Sequence, residues 1–305
     1  MGMFDVSDKP DTLRYAISQA TIKVNPETMA LIKKGKSPKG DIIETARVAA
    51  TMAAKRTADL LPYCHPIPID DVKIDVILKD QHIEVIAEVK TTWKTGVEME
   101  SLTAVSIASL TIYDMLKPID ENLSIESIKL IKKTGGLKSF REKHNRELSA
   151  AVIVISDSTF KGHRTDKSGK LAIERLKENE FRVVDYKVIP DELQVIESEL
   201  KRLSDELKVD LIITSGGTGV GPRDVTVEAT IKVVDKEIRG ISEALRAYGQ
   251  RRTPLSMLSR GICGLRGNTV IVNLPGSSKG VSESLDALFP GIFHVFKMLQ
   301  GFGHN

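Results

Sequence analysis

Between Asp210 and Asp224 an apolar run gives way abruptly to Ser215-Gly216-Gly217-Thr218-Gly219-Val220-Gly221-Pro222-Arg223-Asp224. The run from Asp210 to Thr214 reads as a short buried strand, and Thr226 onward reads as the opening of a helix. Glycine has no Cβ, so backbone N–H groups in such a loop can turn outward and approach a ligand closely. A strand that feeds the loop, and a helix N-terminus that follows it, together suit an anion. A glycine-rich surface turn is the alternative for one loop taken alone. Two features favour a binding site: the loop combines hydroxyls with a carboxylate, and a second loop, Asn273-Leu274-Pro275-Gly276-Ser277-Ser278-Lys279-Gly280, follows the apolar run Thr269 to Val272. Neither loop has the G-x-x-x-x-G-K-[ST] spacing, which excludes a P-loop nucleotidase.

Where a single domain of this kind ends is bounded by length: 305 residues predict two domains of about 150 residues each. No apolar stretch approaches the roughly 20 residues that span a bilayer, and the N-terminus lacks a basic segment followed by an apolar one, so neither a membrane span nor a secretory signal is expected. Cys64 and Cys263 lie too far apart in sequence to suggest a disulfide framework, and a reducing cytoplasm fits them best. With 44 basic against 41 acidic residues the net charge is +3, too balanced for the basic stripe of a nucleic-acid binder. The single Trp93 also argues against stacking platforms for single strands.

A polar, mostly charged stretch from Gly135 to Glu147 precedes the buried-strand signal Ala150-Ala151-Val152-Ile153-Val154-Ile155. It divides the chain into a domain over residues 1–138, a linker over 139–149 and a domain over 150–305. In the first domain, helices are predicted from Asp41 to Leu61, stopped by Pro62, and from Glu98 to Lys117, stopped by Pro118. Between them, Val72 to Leu78 and Ile83 to Val89 alternate around Asp80-Gln81 as a hairpin, and Ser124 to Lys132 alternates again. This predicts an α+β sandwich of the ferredoxin-like kind, an antiparallel sheet with helices. In the second domain, strands at Ala151–Ile155, Phe181–Lys187, Asp210–Thr214 and Thr269–Val272 alternate with helices at Ser168–Asn179, Glu192–Leu207, Thr226–Val234 and Val281–Leu299. Apolar strands between helices predict a three-layer α/β domain with a mostly parallel sheet, whose ligands bind beyond the C-terminal strand ends.

Both glycine loops sit at such ends, and so do Asp191 and Asp224. Two carboxylates beside a phosphate-binding loop suit Mg²⁺ that bridges nucleotide phosphates. Taken singly, Asp191 reads as an N-cap and Asp224 as a turn residue paired to Arg223. Ser156-Asp157, Ile189-Pro190-Asp191, the loop Thr214 to Gly219, Arg223-Asp224-Val225-Thr226 and Asn273-Leu274-Pro275-Gly276 together resemble the molybdopterin adenylyltransferase family, over about Ala150 to Gly301. The resemblance implies binding of molybdopterin by Ser215, Gly216, Gly217, Thr218, Gly219, Asn273, Pro275, Gly276 and Ser277. It further implies transfer of AMP from Mg-ATP to the pterin phosphate, with Asp191 and Asp224 serving the transfer and the Mg²⁺. A half that only binds pterin, as carrier or scaffold, is the alternative, and the presence of both aspartates argues against it.

In the first domain Asp114 and Lys117 stand at i, i+3 and share a helix face. A surface ion pair is one reading; beside Ile112, Met115 and Leu116, a partly desolvated Lys poised for proton transfer is the other. Cys64 and His65 lack partners at zinc spacing, so no zinc site is expected. Pro38-Lys39-Gly40-Asp41, Pro62-Tyr63-Cys64-His65-Pro66, Lys94-Thr95-Gly96-Val97-Glu98-Met99-Glu100 and Leu110 to Lys117 resemble the cyclic pyranopterin monophosphate synthase (MoaC) family, over about Asp5 to Lys138. This implies conversion of 3′,8-cyclo-7,8-dihydro-GTP into cyclic pyranopterin monophosphate and pyrophosphate, without a cofactor. Lys39, His65, Asp114, Lys117 and Lys133 are the implied catalytic or triphosphate-contacting groups, and Glu98 and Met99 the base-recognition turn. One departure stands out: after Lys133 the chain reads Thr134-Gly135-Gly136-Leu137-Lys138-Ser139, with Leu137 where the family commonly has lysine. The two resemblances together imply a bifunctional enzyme of molybdenum-cofactor synthesis. Its partners would be small molecules, namely the cyclic dihydro-GTP derivative, molybdopterin and ATP, with no nucleic acid and no membrane. A homo-oligomer with three-fold symmetry, a trimer or hexamer, is also implied.

Overall fold

The computed structural model describes residues 2–142 and 144–301, and the chain forms two compact units, 1–139 and 140–305. In the first, β1 (Thr12–Lys23), α1 (Pro26–Lys33), α2 (Ile42–Lys55), α3 (Thr57–Leu60), β2 (Asp71–Leu78), β3 (His82–Trp93), α4 (Glu98–Leu116) and β4 (Ser124–Thr134) follow in chain order. The sheet is antiparallel throughout, in the order β2-β3-β1-β4. Alternation gives it two unlike faces. Ala20 and Ile22 of β1, Ile74 and Val76 of β2, and Ile83, Val85 and Ala87 of β3 are buried against Ala46, Ala50 and Ala54 of α2 and Ala104, Ala108 and Ile112 of α4. The helix positions are mostly alanine, so the helices can lie close to the sheet. Each larger side chain buried among them contributes roughly 1.5–3 kcal/mol.

The central strand β1 is not among the expected elements. Of its inward positions, Ala16, Ser18 and Ala20 are too small to mark a hydrophobic face and only Ile22 is a large apolar residue, so its pairing with both β3 and β4 reveals it. The helix expected over Asp41–Leu61 begins as predicted, with the Asp41 carboxylate accepting from Ile43 and Glu44 N–H. It breaks at Arg56 before the short α3.

The second unit comprises β5 (Leu148–Ile155), α5 (Asp157–Phe160), α6 (Ser168–Glu178), β6 (Phe181–Ile189), α7 (Leu193–Lys201), β7 (Leu211–Ser215), α8 (Thr226–Val233), β8 (Lys236–Glu237), α9 (Arg239–Gln250), β9 (Cys263–Arg266), β10 (Thr269–Leu274), α10 (Ser278–Leu288) and α11 (Phe293–Leu299). The sheet order is β6-β5-β7-β10-β9-β8. The first four strands are parallel; β9 pairs antiparallel with β10, and the edge strand β8 pairs antiparallel with β9. Along β5, Ala150 and Val152 face one core with Leu176 of α6 and Leu285 of α10, while Ala151, Ile153 and Ile155 face another with Ile196 and Leu200 of α7 and Val233 of α8. These are the three layers of an α/β domain with a mostly parallel sheet.

Three expectations are corrected here. The helix expected over Val281–Leu299 ends at Leu288 and restarts at Phe293. Pro290 has no N–H to continue the ladder and its ring disfavours helical backbone at Phe289. The helix expected over Glu192–Leu207 is α-helical only to Lys201 and closes in a π turn, Arg202–Glu206. The segment expected to be a free linker is held to the second unit. The His144 ring lies 5.7 Å from that of Phe293 and 6.2 Å from that of Phe296, and Glu142 accepts from His294 at 2.7 Å. Arg146 Nη1 donates to the buried Asp210 at 2.8 Å. Of the charges that suggested a linker, Arg141, Glu142, Arg146 and Glu147 are ion-pair partners of this unit.

Candidate active sites

In the first unit the sequence-predicted residues fall into separate groups. Asp114 lies on the outer face of α4, and Lys39, in the loop before α2, donates to its Oδ2 at 2.7 Å and to its carbonyl at 3.0 Å. Lys117, one turn along, stands 2.8 Å from Oδ1. Hydrogen bonds from the two ammonium groups, Lys117 first, bring the Asp114 pKa down to about 2, and the same contact raises that of Lys117. This corrects the expectation of a partly desolvated lysine. Ile112, Met115 and Leu116 turn inward, and the helical period therefore sends Asp114 and Lys117 out, each with 56% of its side chain exposed.

Glu98 opens α4 and forms a second group with Lys133 of β4, whose ammonium lies 3.0 Å from Oε1. A Cβ on Gly96 would stand 1.9 Å from Glu98 Oε2, so only glycine leaves the carboxylate this position. Met99 beside it is exposed. Arg14, absent from the predicted set, ties the region together: its guanidinium donates to the carbonyls of Trp93 and Lys94 at 3.2 and 2.9 Å. Its Nη1 also fills the space that a Cβ on Gly136 would need, 2.2 Å away. Leu137 starts a 3-10 turn in this loop, and the Lys138 side chain lies outside the described residues. His65 joins neither group; its Nε2 is 2.9 Å from the carbonyl of Phe4.

Glu100 is the other residue the sequence reading did not single out. It is buried in the first turn of α4, and Oε2 has no hydrogen-bond partner among the described residues. Burial foremost, and the nearby Glu98 charge, raise its pKa to about 7. The folded carboxyl therefore keeps its proton up to about pH 7, whereas the unfolded one releases it near 4.5. Stability associated with Glu100 is full below pH 4.5 and is lost as pH rises through 7. Denaturant titrations of Glu100→Gln against the parent should show this slope removed, a difference of up to about 3 kcal/mol at pH 8 at about 1.4 kcal/mol per pKa unit. Parallel pH profiles for the two proteins would contradict the assignment.

In the second unit the strand ends surround a cavity of about 1140 Å³. Its floor is the first glycine loop. Gly216 and Gly217 have φ of 110° and 63°, and a Cβ there would lie 2.2 Å from Ile155 O and 2.1 Å from Thr226 Oγ1, so both positions require glycine. Thr226 Oγ1 in turn donates to Gly216 O at 2.9 Å. Ser215, Thr218, Gly219, Pro275, Gly276 and Ser277 all line the cavity. A Cβ on Gly276 would be 3.3 Å from Gly216 Cα, so the two loops meet. Ser215 Oγ is 3.0 Å from Ser168 Oγ and 3.2 Å from Pro275 O. Ser277 accepts from Gly280 N–H as the N-cap of α10.

Asn273 does not face the cavity, contrary to expectation. Its Nδ2 donates to Thr214 and Thr230 hydroxyls, both at 3.0 Å, and its Oδ1 accepts from Ile262 N–H at 3.4 Å. Fully buried and satisfied at both ends of the amide, it holds the strand ends together instead.

Asp191 and Asp224 both line the cavity. Asp191 is not the cap of α7, a position taken by Glu192 without a side-chain bond. Its Oδ2 accepts from Asp157 N–H at 2.8 Å, while its own N–H donates to Asp157 Oδ1 at 3.1 Å. Asp224 Oδ2 accepts from Gly221 N–H at 2.7 Å. Arg223 pairs with Asp157, not Asp224, as a two-pronged contact at 2.9–3.0 Å. The bond from Asp191 N–H foremost, together with Arg223, keeps the Asp157 carboxyl below its usual range. Burial foremost, then the charges of Asp157 and Asp224, raises that of Asp191. A divalent cation would relieve that repulsion. Among the described residues no group of three or more His, Cys, Asp or Glu converges as a metal cage; Asp191 and Asp224 are carboxylates on this cavity that could hold a cation such as Mg²⁺, which is commonly bound by one or two carboxylates with phosphate oxygens and water.

Residues 3 to 136 match the model of the MoaC family, and residues 151 to 294 match that of a probable molybdopterin binding domain. Over 99% of the chain, it is 41% identical to a molybdenum cofactor biosynthesis bifunctional protein of Chlorobaculum tepidum, of which 96% is covered. It is 38% identical to the protein of the same name from Synechococcus elongatus, with 99% of each covered. The first 44% of the chain is matched separately by a cyclic pyranopterin monophosphate synthase of Thermomicrobium roseum, 49% identical over 82% of that protein.

Proposed function

The chain belongs to the family of bifunctional molybdenum cofactor biosynthesis proteins, and from that premise we propose a reaction for each unit. The first converts 3′,8-cyclo-7,8-dihydro-GTP into cyclic pyranopterin monophosphate and pyrophosphate. The second transfers AMP from Mg-ATP to the phosphate of molybdopterin. One observation carries the second assignment: Asp191 and Asp224 flank one glycine loop on one cavity.

In the first unit, Lys39 and Lys117 bracket Asp114 and present two ammonium groups to solvent, which suits a triphosphate. Lys117, holding its proton at neutral pH, is the donor as the purine ring opens, with Asp114 orienting it. Glu98 and Met99 read the base, and Lys133 and His65 supply further positive charge or hydrogen bonds to phosphate. The groups lie apart within one chain. Exposed Val48 and Met52 on α2 and Leu110 and Tyr113 on α4 favour a homo-oligomer, and a three-fold assembly, trimer or hexamer, is our reading. The βαββαβ order with strands β2-β3-β1-β4 supports a ferredoxin-like assignment for this unit.

In the second unit, a pterin phosphate oxygen attacks the α-phosphorus of ATP, and the bond to the departing pyrophosphate breaks. Ser215 to Gly219 and Pro275 to Ser277 hold the ligands through backbone and hydroxyl groups. Asp191 and Asp224 would hold Mg²⁺, which when bound neutralises phosphate charge. No helix among the described residues is long and apolar enough to cross a membrane, in keeping with a cytoplasmic enzyme. Purified full-length protein should turn over each substrate separately: the cyclic dihydro-GTP derivative without ATP, and molybdopterin only with ATP and Mg²⁺. Pterin binding without AMP transfer would reduce the second unit to a carrier.

A further inference from the structure

Arg260 lies between α9 and β9, 36 residues beyond Asp224 in sequence yet in direct contact with its loop. Its backbone N–H donates to Thr218 O at 2.9 Å, its Nε to Gly219 O at 2.6 Å and its Nη2 to Asp224 O at 2.7 Å. The guanidinium also pairs with Glu228 in the first turn of α8. One side chain therefore grips both ends of the excursion from Gly219 to Asp224 and fastens it to the helix that follows.

We propose that Arg260 is a positioning residue of the second unit's site, clasping the glycine loop so that Asp224 and the loop amides are set for an anionic phosphate ligand. A segment with glycine at 219 and 221 loses much conformational freedom on being ordered, and Val220 at its tip is 74% exposed, so side-chain packing does little to order it. The order must come from contacts made by the backbone. Asp224 supplies two, its carboxylate accepting from Gly221 N–H and its own N–H donating to Gly221 O at 3.0 Å, and Arg260 supplies three. The C=O and N–H of a trans peptide point in opposite directions. Holding the carbonyls of Thr218 and Gly219 therefore turns the N–H groups of Gly219 and Val220 away from Arg260. Neither N–H donates to a protein acceptor among the described residues, which leaves both for a ligand. A planar guanidinium can span two carbonyls and a carboxylate at once; an ammonium acts as a single point and cannot reproduce the fork.

This inference rests on the AMP-transfer reading, and two measurements keep them apart. In the full-length protein, Arg260→Lys should lower kcat for AMP transfer by about 10²-fold, the scale of a small misplacement of reacting groups, with little change in the KM for molybdopterin. Arg260→Ala should lose at least as much and recover part of it on addition of guanidinium ion. Hydrogen exchange at the amides of residues 218–224 should speed up in both variants, whether or not any AMP is transferred. If the parent transfers no AMP, the activity reading fails and exchange alone tests the clasp. Parental kcat in folded Arg260→Lys, or unchanged exchange in that loop, overturns the proposal. Failure of both variants to fold also overturns it, since Arg260 would then serve the core of the unit and not the loop.

Discussion

Asp224→Asn should reduce AMP transfer by at least ~10²-fold, the scale of removing one charge-stabilising group from a transition state, while leaving pterin affinity near that of the parent. The substitution is close to isosteric. The Asn amide oxygen can still accept from Gly221 N–H, the bond that Asp224 Oδ2 makes at 2.7 Å, and Arg260 still grips the backbone carbonyl. The loop keeps its shape and only the charge is lost. Asp191→Asn should behave alike, because an amide oxygen can also accept from Asp157 N–H. Asp191 does not cap α7, so loss of a helix cap does not compete as an explanation. AMP transfer and pterin affinity measured on both variants, beside their melting curves, decide the matter. Full transfer by either Asn form would leave that aspartate a structural role only.

Lys117→Ala should lower turnover of the cyclic dihydro-GTP derivative by at least the ~10²-fold typical of a general acid–base group, with folding intact. Its side chain is more than half exposed and pairs with an equally exposed Asp114; such a solvent-screened pair contributes little to stability. Activity and stability therefore separate cleanly. Asp114 holds the Lys117 pKa above its usual value and is itself pulled down to about 2, so both groups stay charged across the neutral range. In the proposed reaction, Lys117 would accordingly enter as a proton donor. Arg in its place keeps the charge but yields its proton far less readily, and Lys117→Arg should fall with the alanine form. Near-parental turnover by well-folded Lys117→Ala would remove this residue from the mechanism.

Most elements of the second unit were legible because its central strands β5, β7 and β10 are short apolar runs and its helices are amphipathic, a pattern set by local periodicity. Local sterics also placed the two glycine loops. Gly216 and Gly217 sit in left-handed backbone, and a residue with a side chain would collide there. Among the elements that escaped, which include α1, α9, β8 and β9, β1 carries alanine and serine at Ala16, Ser18 and Ala20 of its inner face, and it becomes a strand only through two neighbours distant in sequence.

The candidate residues divide along the same line. Their placement at strand ends or on one helix face followed from spacing, and their roles were what the two family resemblances imply. Where the side chains point did not. Asn273 turns inward because two hydroxyls and a backbone N–H brought by other elements satisfy its amide. Arg223 passes over its neighbour Asp224 to reach Asp157, 66 residues away. Arg260 reaches back to the loop from beyond α9. By itself the sequence determined the strongly periodic strands and helices and the glycine turns, since those depend on contacts within a few residues. Tertiary structure alone decided which polar groups face the ligand and which bind the fold together, because each buried donor or acceptor must find a partner that only long-range packing supplies.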